Sequence, residues 1–218
     1  MQKSSVAAVQ ISKVTSPATG NDPFILNEAK DQLAVEEPME IRIVFGEENE
    51  RQQKSISVTM CTPGNDFELA TGFLFTEGIL KNKKDILSTR YFTEMNSVNN
   101  RNNIVIVELQ PGIVFDISKL ERHFYTSSSC GVCGKSSIAA VKNLFDNEPI
   151  SDNIKIDASV IIELPQSLRK KQEVFEHTGG LHASALFDLE GRLLLTREDV
   201  GRHNALDKLV GAMRELLN

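Results

Sequence analysis

The sequence predicts an α+β protein, and three observations carry that reading. Apolar and polar residues alternate at Met39 to Phe45 and again at Ser55 to Cys61, the period of half-buried strands. Helical spacing follows, with Phe67, Ala70, Phe73 and Leu74 after a Thr62-Pro63-Gly64-Asn65 turn. The clearest helix lies at the end of the chain, where Leu206, Leu209, Val210, Met213, Leu216 and Leu217 form one stripe.

Length and charge bound the function. A chain of 218 residues can bury a substantial core, as one large domain or two small ones. Its formal net charge of −6 argues against broad nucleic-acid binding, leaving room only for a local basic pocket. No apolar run is long enough to span a membrane, and the N-terminus lacks a secretory core. Three cysteines are an odd count in a chain too large to need staples, which points to a reducing, cytoplasmic setting.

In chain order, Val6, Val9, Ile11 and Val14 hint at a strand, and Pro17 to Pro23 reads as a loose loop. The strand pair at 39–61 turns across the charged segment Gly46 to Arg51. The helix opening at Asp66 ends at Gly78, and Leu80 to Asp85 reads as surface. Arg90 to Thr93 and Ile104 to Leu109 are strand candidates on either side of an asparagine-rich turn. Residues 1–124 thus form a small N-terminal α+β domain, and residues 125–218 a second unit. In the second unit, Ser136 to Phe145 reads as a short helix and Asn147 to Asp152 as a turn. Val160, Ile161 and Leu164 continue a helical pattern, and Pro165 opens a fresh helix that reaches about Phe175. Gly179-Gly180 breaks it. Ala183 to Asp188 and Leu193 to Thr196 make a hairpin across Leu189 to Arg192.

The chemistry concentrates in three places. Tyr125 to Lys135 holds Cys130 and Cys133 in a Cys-x-x-Cys spacing, each followed by glycine, just before the short helix. At a helix N-terminus, bare amides and the macrodipole favour a thiolate over a thiol, and the glycines leave the sulfurs open to a partner. The spacing alone also serves disulfide exchange, zinc and iron–sulfur binding. Cys61, by contrast, ends a half-buried strand and reads as an inert buried thiol. The other two places are Glu176 to His182 and Arg197 to Asn204, which together hold three of the four histidines. Arg197, Arg202 and His203 around a helix start, near a Gly-Gly loop, suit a phosphate or pyrophosphate. The competing reading is that Asp199 caps the helix and the charges solvate its first turn. Zinc on Cys130, Cys133 and two histidines is a further option, although no second close pair at metal-ligand spacing exists.

Four blocks then stand in order: Asp66 to Gly78, the Cys130/Cys133 loop, Thr178 to Ala183, and Glu198 to Lys208. Together they resemble the FdhD family of sulfurtransferases required for active formate dehydrogenase, from about Glu36 to Leu209. The resemblance implies a cytidine-deaminase-like α/β fold for the second unit. It also implies sulfur relay, in which a cysteine desulfurase places a persulfide on Cys130 and the sulfur passes to the molybdenum cofactor of formate dehydrogenase. Cys133 would then resolve or re-accept sulfur. No permanently bound cofactor or metal is expected. The acceptor is a bis(molybdopterin guanine dinucleotide) molybdenum centre, for which a guanine nucleotide serves as a mimic. Its pyrophosphate would fall to His177, Gly179, Gly180 and His182 on one side, with Arg202 and His203 on the other. The expected partners are the desulfurase, formate dehydrogenase and a second copy of the chain, with neither nucleic acid nor membrane.

The chain departs from deaminases and from the family pattern. The helix reading Gly201-Arg202-His203-Asn204 lacks the deaminase zinc signature, which argues against deamination. Family members continue past the last helix with residues that complete the second sheet and touch the cofactor, so an end at Asn218 implies a shortened second sheet. Two other readings compete with sulfur transfer: a non-catalytic chaperone for the guanine-dinucleotide cofactor, and a zinc-stabilised binding domain.

Overall fold

The computed structural model describes residues 4–15, 24–92, 103–113 and 154–216. The chain opens with an antiparallel ribbon of β1 (Val6–Thr15) and β2 (Ile25–Ala34), in register from Val6 opposite Ala34 to Thr15 opposite Ile25. The second strand was not legible in the sequence. Asn27-Glu28-Ala29-Lys30-Asp31-Gln32 carries no β-branched residue, so it is pairing with β1 rather than propensity that extends it.

The centre is a four-stranded sheet of β3 (Glu37–Phe45), β4 (Gln52–Cys61), β5 (Ile86–Tyr91) and β6 (Ile104–Leu109), in the order β4-β3-β6-β5. β3 and β6 run parallel in the middle, with antiparallel neighbours outside them. The expected pairing of the 39–45 and 55–61 segments is present. Ile41, Ile43, Val105, Val107 and Leu109 face the core with no exposure, while Glu40 and Arg42 alternate outward and pair at 2.8 and 2.9 Å. β5 starts at Ile86, four residues before the expected Arg90.

α1 (Asp66–Thr76) lies on this sheet. It follows a tight turn in which Gly64 has φ 110° and Asn65 sits in the left-handed region at φ 58°. Leu69, Ala70 and Leu74 are fully buried, whereas the expected Phe67 and Phe73 only pack against the core from its edge. The difference arises because the helix is covered on two sides, by the sheet and by the last helix. At its end Gly78, at φ 72°, turns the chain so that the N–H groups of Ile79 and Leu80 both reach the Leu74 carbonyl. That turn drives Leu80 into the core at 2% exposure, a correction to its reading as surface.

The second half contributes α2 (Ala158–Arg169), α3 (Glu173–Thr178), the hairpin of β7 (His182–Phe187) and β8 (Leu193–Asp199), and α4 (Arg202–Leu216). Pro165 does not open a helix; α2 runs through it and a separate α3 follows. The start is set upstream, where the Asp157 carboxylate accepts the Ser159 N–H at 2.8 Å. α2 buries no residue, so the carbonyl that Pro165 leaves without a helical donor lies where water reaches. Gly179, at φ 69°, caps α3 as expected, its N–H on the Phe175 carbonyl at 2.7 Å.

α4 corrects the sequence reading in one respect. Leu206 on the expected stripe is 47% exposed, and the buried face runs through Ala205, Lys208, Leu209 and Ala212. Close approach to α1 selects small residues there, and α1 and α4 thereby join the two halves of the chain. The fold is α+β. The 124/125 boundary, the cysteine loop and the Ser136 to Phe145 helix lie outside the described residues.

Candidate functional site

The end of β8 and the start of α4 are built around one buried ion pair. Asp199 has no exposure and Lys208 has 1%, and they meet at 2.7 Å. Each carboxylate oxygen of Asp199 takes two partners. Oδ1 accepts the Gly201 N–H at 2.8 Å and the Asn204 side-chain amide at 3.1 Å. Oδ2 accepts the Thr62 N–H at 3.1 Å beside the lysine. Lys208 Nζ also donates to the carbonyls of Thr62 at 2.7 Å and Glu198 at 3.3 Å. The carboxylate is therefore saturated, which is what allows a charge to sit in the interior. Through Thr62, the same cluster fastens the end of β4 to the second half; the Val200 N–H returns a bond to the Thr62 hydroxyl at 3.1 Å.

Glu198, the preceding residue, points to the other side of the strand. Its two oxygens accept the N–H groups of Val174 and Phe175, each at 3.0 Å, in the first turn of α3. Arg197 forms a two-pronged pair with Glu68 of α1 at 2.5 and 2.7 Å. The pair ties Arg197 to the α1 junction, at the edge of the cleft that it also lines.

Two of the three clusters marked in the sequence meet here. β7 and β8 pair so that His182 stands opposite Asp199. Gly179-Gly180 therefore enters, and Gly201-Arg202-His203 leaves, at the same end of the hairpin. His177, Gly179, Gly180, His182 and Arg202 are exposed and His203 is half-buried. Side-chain hydrogen bonds at this junction run through Glu198, Asp199, Asn204 and Lys208. Asp199 holds the helix start from within, while Arg202 remains at the surface. A cleft of about 520 Å³ opens alongside, between residues 62–65 and 193–198; Leu181 lines it, and none of the six candidate residues does.

Cys130 and Cys133 lie outside the described residues, so their position relative to this junction is not part of the site described. Cys61 is buried at 3% exposure, as its strand position implies. Among the described residues, no group of three or more His, Cys, Asp or Glu side chains is arranged to hold a metal ion. Among them, too, no helix is long and apolar enough to cross a membrane.

One acidic group is strongly perturbed. Burial pushes the Asp207 carboxyl up to about 7, against the opposing pull of the Thr76 hydroxyl, which donates to it at 2.8 Å; Glu77 and Asp199 add like-charge repulsion. Sequence reasoning missed the internal roles of Glu198, Asn204, Asp207 and Lys208. The available signal was a lysine and an aspartate beside the apolar stripe of α4, facing the Glu-Asp pair that ends a strand.

Residues 34–216 match the family described as the FdhD/NarQ family. The chain is 45% identical over 182 residues to sulfur carrier protein FdhD of Mycolicibacterium paratuberculosis, covering 83% of this chain and 64% of that relative. To sulfur carrier protein FdhD of Thermoplasma volcanium it is 42% identical over 208 residues, covering 94% and 72%. The chain thus spans about two thirds of the length of the curated relatives it matches. A crystal structure from Desulfotalea psychrophila, described as a formate dehydrogenase accessory protein, superposes with a TM-score of 0.55 at 19% identity, over 95% of this chain and 66% of that one. That likeness supports the fold.

Proposed function

The chain belongs to the FdhD/NarQ family, and from that premise we propose that it is a sulfur carrier working through a persulfide on Cys130, in the service of formate dehydrogenase. The observation that carries the reading is the identity to relatives named as sulfur carriers, across a chain that holds the Cys130-Gly131-Val132-Cys133 spacing. The donor is a cysteine desulfurase. The Cys130 thiolate attacks the outer sulfur of the donor persulfide; that sulfur–sulfur bond breaks, a new one forms on Cys130, and the donor leaves as its thiolate. For release, the Cys133 thiolate attacks the inner sulfur of the Cys130 persulfide. The terminal sulfur departs as sulfide towards the molybdenum cofactor, and the Cys130–Cys133 disulfide left behind is reopened by a cellular dithiol.

The acceptor carries guanine dinucleotide arms, whose pyrophosphates need a local cationic or amide-rich surface on an acidic chain. His177, Gly179, Gly180, His182, Arg202 and His203 are the residues assigned to it, and their arrival at one end of the β7–β8 hairpin supports the assignment. The reading extends to a cytoplasmic homodimer with a unit boundary at 124/125 and a cytidine-deaminase-like second unit. The test is incubation with a desulfurase and cysteine, followed by cyanolysis. About one sulfane sulfur per chain is expected from single-carrier chemistry. A chain that takes none, while it still binds the cofactor, would be a chaperone and not a carrier.

A further inference from the structure

We infer that Glu198 and Asp199 are positioning residues that hold the two halves of the anion site in register, an inference that rests on the dinucleotide-binding reading above. The argument starts from α3. A six-residue helix is far below the length that is stable alone, so its geometry follows from what it is tied to. It is tied by Glu198, whose carboxylate takes the Val174 and Phe175 amides at 3.0 Å each, two donors that a helix start leaves without partners. The other end of the same turn is Phe175 again, whose carbonyl accepts the Gly179 N–H at 2.7 Å. Glu198 on β8 thus reaches Gly179-Gly180 through one turn of helix, alongside the packing of α3 on β2 and of the Arg169 guanidinium over the Phe175 ring.

Asp199 performs the matching task for the other half. Its Oδ1 holds the Gly201 N–H at 2.8 Å and the Asn204 side-chain amide at 3.1 Å, which fixes the backbone immediately before Arg202 and ties down the side chain that follows His203. The Lys208 pair and the Thr62 amide anchor that carboxylate in turn. Alternation along a strand sends adjacent side chains to opposite faces, so one dipeptide can grip two segments without either carboxylate competing for the other's donors. Neither residue touches the ligand in this account. Their effect is to remove the loop freedom that binding would otherwise have to freeze out.

The experiment uses guanosine diphosphate as the probe, with calorimetric titration and residue-resolved amide exchange. Glu198→Gln presents an NH2 to one of the two amides it must accept from, and is expected to raise the Kd about tenfold, the loss of a charge-assisted hydrogen bond. Exchange at 174–180 speeds up in that variant, while 201–204 exchange as in the unaltered chain and still gain protection from the nucleotide. Glu198→Ala is a second variant with the same expectation. A merely structural role would lower the melting temperature and leave both the Kd and the nucleotide-induced protection at 179–180 unchanged, and that result overturns the inference. If the unaltered chain fails to bind the probe, the dinucleotide reading falls. Exchange in the free protein then decides the coupling alone: fast exchange at 174–180 in Glu198→Gln upholds it, and unchanged exchange refutes it.

Discussion

Gly72 of α1 and Asp207 of α4 meet backbone to backbone: a Cβ on Gly72 would stand 1.8 Å from the Asp207 carbonyl oxygen. The contact is reciprocal, since a Cβ on Gly211 would stand 2.0 Å from the Glu68 carbonyl oxygen. Neither site has a flexible side chain that could yield. The helices cross at this distance because both positions lack a side chain, and the crossing joins α1 to α4. Gly72→Ala and Gly211→Ala are each expected to destabilise by about 3 kcal/mol or more, the upper range for overpacking. Urea unfolding checks this, and a loss under about 1 kcal/mol would mean that the helices can separate freely.

Removing one member of the buried ion pair should be worse than removing both. Lys208→Met leaves the saturated Asp199 carboxylate with a missing cation, at a cost of about 3–5 kcal/mol. Adding Asp199→Asn to that variant should recover part of the loss. A double variant no more stable than Lys208→Met alone would contradict the account.

Asp207 makes stability depend on pH in the less usual direction. Its folded carboxyl titrates at about 7, above the ordinary value of 3.8, so between those values the folded chain holds the proton that the unfolded chain has lost. Its contribution is therefore fully present below pH ~4 and is lost up to pH ~7, at about 1.4 kcal/mol per pH unit at most. Asp207→Asn keeps an oxygen for the Thr76 hydroxyl and should be more stable than the unaltered chain at pH 8, with little difference at pH 4. Equal midpoints for the two proteins at pH 8 would show that the carboxyl is not perturbed.

Elements with a strict period were legible in the sequence: β3, β4, β6, α1 and the hairpin all stand where alternation or helical spacing put them. What failed did so for identifiable physical reasons. β2 has a polar composition and exists through its pairing, which no local pattern encodes. Pro165 reads as a start signal, yet Asp157 supplies a better one eight residues earlier. On α4 the apolar stripe was read as the buried face, but a glycine-mediated crossing favours Ala205 and Ala212 over Leu206. At the site, the Arg197 to Lys208 segment was legible as important and not as internal. The bonds that give its charges their roles reach back to Thr62, Glu68 and Val174, residues far away in sequence.

The surface position of Arg202 makes a direct test of the anion site. Guanosine diphosphate is expected to raise the melting temperature by mass action, and Arg202→Ala should weaken the affinity about tenfold, shrinking the shift at a fixed concentration. The same variant without nucleotide should melt within a degree or so of the unaltered chain, as an exposed side chain away from special features does. Nucleotide shifts that are identical in the two proteins would remove Arg202 from the site.

Sulfur carriage itself is tested most directly by site-resolved mass spectrometry of the chain after reaction with a cysteine desulfurase and cysteine. The account predicts one added sulfur atom on the peptide that holds Cys130, lost in Cys130→Ala and retained in Cys61→Ala, whose thiol is buried at 3% exposure. Added sulfur found on Cys61 alone, or on no cysteine at all, would contradict it.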